Sequence, residues 1–533
     1  MLKHVKHLFF LFLIAQSVNA QICDNVISLG NAGGDACTHL AKMPSGLTVG
    51  GIFQQNISFN GIVYNSAGAF DIFLSNYDSS GQLVNAMSIG NSGNNELSAM
   101  TSDNSGNLYL SGTFTGQLNL GSYGFQSTTI THFIAKINPQ GQLIWAEQLQ
   151  AKGINKVYDL QVSPDGQFLW VCGEYNDSLK IGTEQLYSPF LYNLFVLKLN
   201  SWDGAADWLR DVPDAKWAKA RTLAPLPDGT AWIAAEFKDS LVLTGNTYYY
   251  SRIHSDILFA KIDANGQWQS SKRWGGVYED KPKKLRLAPD RQTLWLCGDF
   301  VAVLNVDQFQ LMTAFRFYDA FWIKIDLAGN ALAVGQSNTI ANCYVYDIAF
   351  QGTELWLGGY FQDSLQGADQ MHYPVGGFDI FWYRIDTTEA LLRKSETAGG
   401  TGNDLINALA AYGTGVYAAG TYQQMMEWNG QSTTASGFSD GWLGCIPSGT
   451  AAAVQKPIPN FIAVKISPNP SSDQFRIELE TPMPLRWELY SMEGRRILTG
   501  NTEIIDAAKL TKGTYSLTVY TEKGIAVAKL IRR

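Results

Sequence analysis

The chain has 533 residues, of which 46% are hydrophobic and 16% charged, and its net charge is −8 at pH 7. This composition excludes a disordered chain, because enough apolar surface is available for burial. The negative charge and the lack of a Lys/Arg cluster along the sequence argue against binding to nucleic acid or to anionic membranes, since both need a basic face.

The N-terminus has the pattern of a secretory signal. Lys3 and Lys6 precede the apolar run LFFLFLIA, and SVNA offers small residues for cleavage, which predicts a signal peptide over residues 1–20 and a mature start at Gln21. The alternative, a lipoprotein, needs a cysteine directly after the cleavage point, whereas Cys23 comes third. No other stretch is long and apolar enough for a transmembrane helix.

Two motifs repeat along the chain with a period of about 60 to 63 residues. The first is a strand-like run that ends on an aromatic residue, with copies that end at Phe53, Phe114, Tyr175, Phe237, Phe300, Phe361 and Tyr422. The second is a strand-like run such as DIFLSNYDSSG or DAFWIKIDLAG, with copies that begin at Asp71, His132, Leu194, Asp256, Asp319, Asp379 and Asp440. The chain is therefore built from seven sequence units.

The sequence pattern predicts four short strands in each unit, because its apolar or alternating runs are bounded by Gly, Asn, Asp and Pro. The fold class predicted from this pattern is all-β, with a seven-bladed β-propeller over residues 21–447 followed by a small C-terminal β-sandwich. A solenoid is the alternative, although the units lack the short rung spacing of a β-helix.

The ends of the repeat region suggest how the ring closes. The last unit stops after GWLGCIPSG without a fourth strand, while DNVISLGNAGG near the N-terminus matches the fourth strand of the first unit. Aligning these segments places Cys23 at the position of Leu83 and Cys445 at that of Asn76, two positions expected to face each other across a hairpin. We therefore predict a Cys23–Cys445 disulfide, with two unpaired thiols as the alternative.

The other cysteines do not predict a site. Cys172 and Cys297 occupy the same position in different units and are expected to be buried apolar residues. Cys37 and Cys343 lack metal-ligand spacing, so no metal is predicted. The repeated aspartates at 71, 256, 319, 379 and 440 are expected to bond backbone at strand starts rather than form an acid or metal site.

Neither a catalytic residue nor a cofactor is predicted, because the histidines are scattered and no nucleophile, zinc-binding or phosphate-binding motif occurs. An acid pair contributed by two different units would leave no local signature. Ligand binding is expected on the aromatic-rich connections between second and third strands, with packing between blades as the alternative for each ring. The candidate ligand-binding residues are Tyr187, Tyr192, Tyr248, Tyr249, Tyr250, Tyr318 and Tyr373.

The arrangement GGTGND…GVYAAGTY resembles the bacterial seven-bladed β-propeller repeat, over roughly residues 24 to 446. This resemblance implies the fold and says little about activity, because propellers host many functions.

After the repeats, residues 448–461 are predicted to be a linker and residues 462–533 a compact antiparallel domain. The segments SPNPSSD, ELYSMEGRRI, IDAAKLTKGTYSLTV and KLIRR make this domain resemble the type A C-terminal sorting domain of type IX secretion. The matching residues are Pro468, Asn469, Pro470, Asp473, Tyr490, Gly494, Arg495, Leu510, Gly513, Tyr515 and Lys529.

The sorting-domain resemblance implies a Gram-negative protein that the type IX machinery delivers outside the cell, either attached to the outer-membrane surface or released. An ordinary accessory domain is the alternative. The predicted function is a non-enzymatic module that binds an extracellular glycan or protein. The alternatives are an exported polysaccharide hydrolase or lyase, and a structural component of the envelope.

Overall fold

The computed structural model describes residues 26–213, 215–243, 247–251, 253–313, 316–447, 464–479, 485–491, 496–521 and 524–533. The predicted signal peptide and the predicted linker 448–461 lie outside these ranges. Apart from the short 3-10 helix Ala507–Lys509, the elements of the described residues are β-strands. None of the helices in the described part of the chain is long and apolar enough to cross a membrane.

Strands of the repeat region pair into four-stranded antiparallel units. Unit one contains β2 (Ala36–Met43), β3 (Gly46–Phe53), β6 (Asp71–Asp78) and β7 (Leu83–Ile89). Unit two contains β8 (Leu97–Ser102), β9 (Leu108–Leu120), β10 (Tyr123–Ile137) and β11 (Leu143–Ala151). Unit three contains β12 (Asn155–Val162), β13 (Phe168–Ile181), β14 (Glu184–Asn200) and β15 (Ala206–Asp211).

The later units repeat this pattern. Unit four contains β16 (Trp217–Pro225), β17 (Ala231–Lys238), β20 (Asp256–Ile262) and β21 (Trp268–Trp274). Unit five contains β22 (Asp280–Leu287), β23 (Thr293–Val301), β26 (Tyr318–Asp326) and β27 (Ala331–Gln336). Unit six contains β28 (Cys343–Gln351), β29 (Glu354–Phe361), β32 (Asp379–Asp386) and β33 (Leu392–Gly400).

Unit seven takes its fourth strand from the N-terminal end of the chain. It contains β34 (Leu405–Tyr412), β35 (Gly415–Tyr422), β38 (Asp440–Pro447) and β1 (Ile27–Leu29). β1 pairs antiparallel with β38, so that Ile27 lies opposite Leu443. The predicted completion of the last unit by the N-terminal strand is thus confirmed.

The connection between the second and third strands of each unit is itself a hairpin, where the sequence predicted only a longer connection. In units two and three the two long strands simply continue into this hairpin. In the others it forms separate strands: β4 (Asn56–Phe59) with β5 (Ile62–Asn65), β18 (Ser240–Leu243) with β19 (Thr247–Tyr250), β24 (Val303–Val306) with β25 (Phe309–Met312), β30 (Leu365–Gln366) with β31 (Met371–His372), and β36 (Met425–Trp428) with β37 (Gln431–Thr434).

Apolar cores lie between consecutive units rather than inside them. One core combines Ile72 and Leu74 of unit one with Leu110 of unit two, and similar cores follow between each later pair of units. A further core combines Val49 of unit one with Leu443 of unit seven. Burial of these faces is the main force that holds neighbouring units together.

A glycine in the second strand lets the first strand approach closely. A Cβ added to Gly420 would lie 1.8 Å from the carbonyl oxygen of Leu405, and one added to Gly51 would lie 2.1 Å from that of Ala36. This close contact explains why a glycine stands two positions before the aromatic residue at the end of the second strand. Unit four has Ala235 at this position, opposite Ala220.

The C-terminal region forms two antiparallel sheets around one apolar core. The first sheet contains β39 (Val464–Ser467), β40 (Gln474–Leu479) and β43 (Ile504–Asp506). The second contains β41 (Leu485–Ser491), β42 (Arg496–Gly500), β44 (Gly513–Thr521) and β45 (Gly524–Arg532). Phe475 and Ile477 from the first sheet pack with Trp487 and Leu517 from the second.

Candidate functional site

The first strands of the seven units lie against one another, and we call them the inner strands: β2, β8, β12, β16, β22, β28 and β34. Each contains one bulge, an extra residue without a partner in the second strand. The extra residues are Thr38, Ser98, Tyr158, Arg221, Lys283, Tyr346 and Asn407, and all seven are half-buried. A bulge redirects a side chain and interrupts pairing with the second strand. Every unit therefore has one position, equivalent in all seven inner strands, at which the side chain can vary.

In units three to six these positions belong to a larger cluster, which we call the rim patch. Its aromatic members are Tyr158, Tyr192, Trp217, Tyr318, Tyr344, Tyr346 and Tyr360, and its basic members are Lys219, Arg221, Lys238, Lys281 and Lys283. They come from the start of first and third strands and from the end of second strands. In antiparallel units these three positions meet at the same end.

The aromatic rings of the rim patch contact one another in series. The ring centroids of Tyr318 and Tyr344 are 5.2 Å apart, and those of Tyr344 and Tyr360 are 5.1 Å apart. Tyr346 lies 5.7 Å from Tyr360. These tilted pairs are within the distance range of favourable aromatic contacts, so the rings form a continuous, partly exposed apolar surface.

The basic groups lie over these rings. Arg221 lies 4.2 Å from the ring centroid of Tyr158, Lys283 lies 4.9 Å from that of Tyr346, and Lys281 lies 4.7 Å from that of Tyr318. Each distance is within the range of cation–π attraction. The ring faces therefore help to hold the cations in place.

Carboxylates lie beneath the cations. Arg221 donates from Nε and Nη2 to Glu236, at 2.9 and 2.6 Å. Lys219 lies 2.7 Å from Glu174, which also accepts the Tyr158 hydroxyl at 2.6 Å. The side chain of Glu236 is only 2% exposed, whereas that of Arg221 is 26% exposed. The cation therefore faces outward and its partner inward.

The phenol groups of Tyr318, Tyr344 and Tyr360 stay protonated near pH 7. Burial is the main cause that raises the pKa of Tyr344, to about 12, with a further contribution from the neighbouring Tyr318. Burial also raises the pKa of Tyr318 and Tyr360. A tyrosinate base is therefore not favoured at this surface.

The residue after the bulge joins neighbouring inner strands. Asp159 accepts the Thr222 hydroxyl at 2.7 Å, and Thr222 in turn accepts the Leu285 N–H at 2.8 Å. Asp347 accepts the Leu409 N–H at 2.9 Å. These contacts between units fix the spacing of the inner strands, and hence the spacing of the bulged residues.

A cavity of about 600 Å³ lies between the inner strands, lined by His39, Lys284, Arg286, Tyr346 and Asn407 among others. Although burial opposes ionisation, Arg286 and Lys284 lower the pKa of Asp159 to about 2. Burial is also the main cause that lowers the pKa of His39 to about 3, so this imidazole is neutral near pH 7. No three metal-ligating side chains converge in the described ranges.

The seven predicted tyrosines fall into three groups. Tyr192 and Tyr318 belong to the rim patch, where the ring of Tyr192 lies 6.3 Å from that of Trp217. Tyr187, Tyr248, Tyr250 and Tyr373 are well exposed on the hairpins between second and third strands. Tyr249 packs inward and donates its hydroxyl to the Ser271 carbonyl at 2.8 Å. Ligand binding by these residues stays a prediction.

The repeated aspartates at 71, 379 and 440 bond backbone as predicted. Each accepts an N–H from four residues earlier: Ala67, Val375 and Ser436, at 2.8 to 2.9 Å. The other two have different partners. Asp256 accepts from Arg273 at 2.6 Å. Asp319 accepts the Thr339 backbone N–H at 3.1 Å, as predicted, and also the Ser337 and Thr339 hydroxyls.

The predicted burial of Cys172 and Cys297 agrees with the structure. Cys172 and Cys297 are buried and free, as are Cys37 and Cys343. Cys23 lies outside the described residues, so the Cys23–Cys445 disulfide stays a prediction. The register on which it was based is wrong by one step, because Leu83 lies opposite Tyr77 and Asn76 opposite Asn85. The bulge between these pairs is the cause.

The residues of the sorting motifs have structural roles in the C-terminal region. Asn469 donates to the Lys529 carbonyl at 2.5 Å and accepts the Ile531 N–H at 3.0 Å, which ties the segment before β40 to β45. The Asp473 carbonyl accepts the Ala507 N–H at 2.8 Å, and the Tyr515 hydroxyl donates to the Thr511 carbonyl at 2.8 Å. Gly494 and Arg495 lie outside the described residues.

Three further residues of these motifs lie in the described part of the C-terminal region. Pro468 and Pro470 each follow a cis peptide bond, on either side of Asn469, and Gly513 begins β44.

Residues 465–533 match the family model of the secretion system C-terminal sorting domain. This match confirms the predicted type IX sorting tail and indicates export to the cell surface or the extracellular space. Among curated proteins, no sequence matches the chain.

Solved structures similar to this one share little sequence with it. Hydrazine synthase of Kuenenia stuttgartiensis is 14% identical with a TM-score of 0.40, over 72% of this chain and 92% of that chain. A quinohemoprotein alcohol dehydrogenase of Pseudomonas putida HK5 is 11% identical with a TM-score of 0.39, over 85% and 80%. The Pan2 WD40 domain of Neurospora crassa is 9% identical with a TM-score of 0.39, over 79% and 96%.

The rim patch was missed from the sequence because its members come from four units. The available signal lay in the inner strands. NKVYDL, WAKARTL, DKPKKLRL and CYVYDI carry Lys, Arg or Tyr near the bulge, whereas ACTHLA, LSAMTS and LINALA carry small or uncharged residues there. Aligning first strands, rather than second and third, would have found this difference.

Proposed function

We propose that this protein is an exported, non-enzymatic, seven-bladed β-propeller that binds an extracellular glycan at the rim patch. The observation that carries the binding role is the continuous run of half-exposed aromatic rings at one end of the inner strands. Sugar rings present apolar C–H faces that stack on such aromatic surfaces.

Several features support a closed ring of seven blades. The inner strand of unit seven lies against that of unit one, as the other inner strands lie against their neighbours. One apolar core joins units seven and one. The hairpin of a unit also docks on the fourth strand of the previous unit, for example where Met426 pairs with Gly400.

We also propose that the C-terminal region is a β-sandwich, since its two sheets share one apolar core.

The site favours binding over catalysis. A lyase needs a group that can take a proton from a sugar carbon, and a glycosidase needs a carboxylic acid and a carboxylate on opposite sides of a bond. In the rim patch the pKa of Tyr344 is raised by burial, and the carboxylates Glu174 and Glu236 lie buried beneath cations. These groups suit positioning rather than proton transfer.

The test is a glycan array probed with the full-length chain and with a Tyr344→Ala, Tyr346→Ala double variant. We expect saturable binding by the parent chain and a loss of at least about tenfold in the variant, since each stacked ring contributes about 1 kcal/mol or more. Ser98→Ala is the matched control, because Ser98 is the bulged residue of unit two.

Thermal melting checks that all three proteins are folded. A folded parent chain that binds no glycan on the array would overturn the proposal. Retained binding by the double variant would move the site away from the rim patch.

A further inference from the structure

We propose that the rim patch selects an anionic glycan, namely a polysaccharide whose sugars carry carboxylates. This inference rests on the proposed glycan-binding function and names its ligand class. The evidence for it is that the carboxylates of the patch are buried while their cationic partners are more exposed. This layering of charge is independent of the aromatic surface.

The protein has a net charge of −8, yet the outer layer of the rim patch is basic. The side chains of Glu174, Glu236 and Asp299 are 5%, 2% and 1% exposed. Their cationic partners Lys219, Arg221 and Lys283 are 15%, 26% and 29% exposed. An approaching ligand therefore meets the cations first, and the carboxylates serve as their buried counterions.

The cations remain charged in this environment. Although burial opposes its charge, Asp299 raises the pKa of Lys283, and Glu236 acts in the same way on Arg221. Lys283 lies 3.2 Å from Asp299, and Arg221 is held by two hydrogen bonds to Glu236. The side chains are thus fixed before a ligand arrives, which lowers the entropy cost of binding.

The cations also keep donors for a ligand. An ammonium group has three N–H donors and a guanidinium has five. Among contacts between described residues, Arg221 gives Nε and Nη2 to Glu236, which leaves Nη1, and Lys219 gives one contact to Glu174. A ligand carboxylate can accept from these remaining donors through charge-assisted hydrogen bonds.

Cations lie beside aromatic rings in the patch, and this combination fits a carboxylated sugar polymer. Arg221 lies over the ring of Tyr158, and Lys283 lies over the ring of Tyr346, which contacts Tyr360. Each uronate residue offers an apolar face for stacking and a carboxylate for a cation. Glu279, 27% exposed, pairs with Lys238 and Lys281, so the cations whose carboxylate partners are buried are Lys219, Arg221 and Lys283.

The experiment compares matched polymers that differ only in charge. Polygalacturonate, alginate and hyaluronan are each titrated against the full-length chain by calorimetry, beside their methyl-esterified, uncharged forms. We expect at least one acidic polymer to bind about tenfold or more tightly than its ester, and salt to weaken that binding, because exposed charge pairs are screened.

Variants assign the effect to the patch. Lys219→Gln with Lys283→Gln should weaken binding of the acidic polymer more than binding of its ester, so that the ratio of the two affinities falls toward one. Tyr344→Ala with Tyr346→Ala should weaken both forms. The control is Lys152→Gln with Lys180→Gln, which removes two exposed lysines of the same region that lie outside the patch and should leave both affinities unchanged.

The outcomes separate the two proposals. Equal affinity for acid and ester overturns the charge preference and leaves glycan binding intact. No binding to any of the three acidic polymers, with a neutral glycan bound on the array, also overturns the charge preference alone. Single-stranded DNA bound more tightly than every acidic glycan would assign the basic layer to nucleic acid instead.

Discussion

Units three to six and units seven, one and two have the same four strands, the same bulge and the same cores between units. The two halves differ in the bulged side chain. Units three to six place Tyr158, Arg221, Lys283 and Tyr346 there, whereas units seven, one and two place Asn407, Thr38 and Ser98. The repeated scaffold therefore fixes where a side chain emerges, and the individual unit decides its chemistry.

The comparison separates residues kept for the fold from residues free to vary. Second-strand glycines belong to the first class, because in five units their added Cβ would overlap a carbonyl oxygen of the first strand. Bulged residues belong to the second class, because each is an extra residue with no register partner in the second strand, and seven units place six different side chain types there.

The largest effect is expected from a change to the shared scaffold. Gly420→Ala places a Cβ 1.8 Å from the Leu405 carbonyl oxygen, so the backbone must move, and we expect a loss of about 3 kcal/mol in the free energy of unfolding. Denaturant unfolding measures this. Gly34→Ala is the control, since its Cβ would meet atoms only at 3.8 Å and should change stability little. Equal stability of the two variants would contradict the close approach.

The next largest effect is expected from a variant that removes the difference between units three to six and units seven, one and two. Tyr158→Ser with Tyr346→Asn gives units three and six the residues of units two and seven. Because the aromatic surface is lost while the bulges stay, we expect binding of the array-identified glycan to fall by about 10- to 100-fold, the equivalent of about 1 to 3 kcal/mol. Calorimetry measures the affinity. Unchanged affinity in this folded variant would mean that the two halves do not differ in function.

Much of the scaffold was predictable from sequence because it repeats. A glycine followed two positions later by an aromatic residue recurs where the second strand meets the bulge, and the orphan segment around Ile27 predicted the completion of unit seven. The hairpins between second and third strands were not predicted, because their alternating pattern is interrupted by polar residues such as those of QSTT.

The candidate site was harder to predict, for a physical reason. Tyr318, Tyr344 and Tyr360 come from three different strands, and their rings meet only when units five and six pack together. Exposed tyrosines such as Tyr187 are conspicuous in sequence because they cluster locally, whereas contact across units leaves no local cluster. Sequence reasoning therefore favoured the hairpins, and only the packed structure brings the basic layer into one place.

A smaller effect concerns buried carboxyls, whose pKa depends on whether cations lie beside them. Arg286 and Lys284 lower the pKa of Asp159, whereas burial and the nearby Asp379 raise the pKa of Asp404 of unit seven to about 7. A carboxyl with a raised pKa in the folded state contributes stability below its unfolded pKa, and this stability is lost as pH rises through 7.

The protein should therefore lose about 2 kcal/mol of stability through Asp404 between pH 5 and pH 8, and Asp404→Asn should reduce that loss. Denaturant unfolding at the two pH values provides the measurement. Asp319 is the comparison, since burial raises its pKa to about 7 as well, and Asp319→Asn should act in the same direction. A parent chain that is more stable at pH 8 than at pH 5 would contradict the sign.

The smallest effect is expected on the hairpins and decides between the two sets of tyrosines. Tyr187, Tyr248 and Tyr250 are exposed at 69%, 59% and 63%, and they lie on hairpins rather than at the inner-strand ends. Among the described residues no cation or aromatic ring holds these three side chains, so they must lose side-chain freedom on binding, which offsets most of the contact they gain. Replacing all three with alanine should change glycan affinity by less than about twofold. A loss as large as that of the rim variants would move the site to the hairpins, and it would make the difference between bulged residues a difference in packing alone.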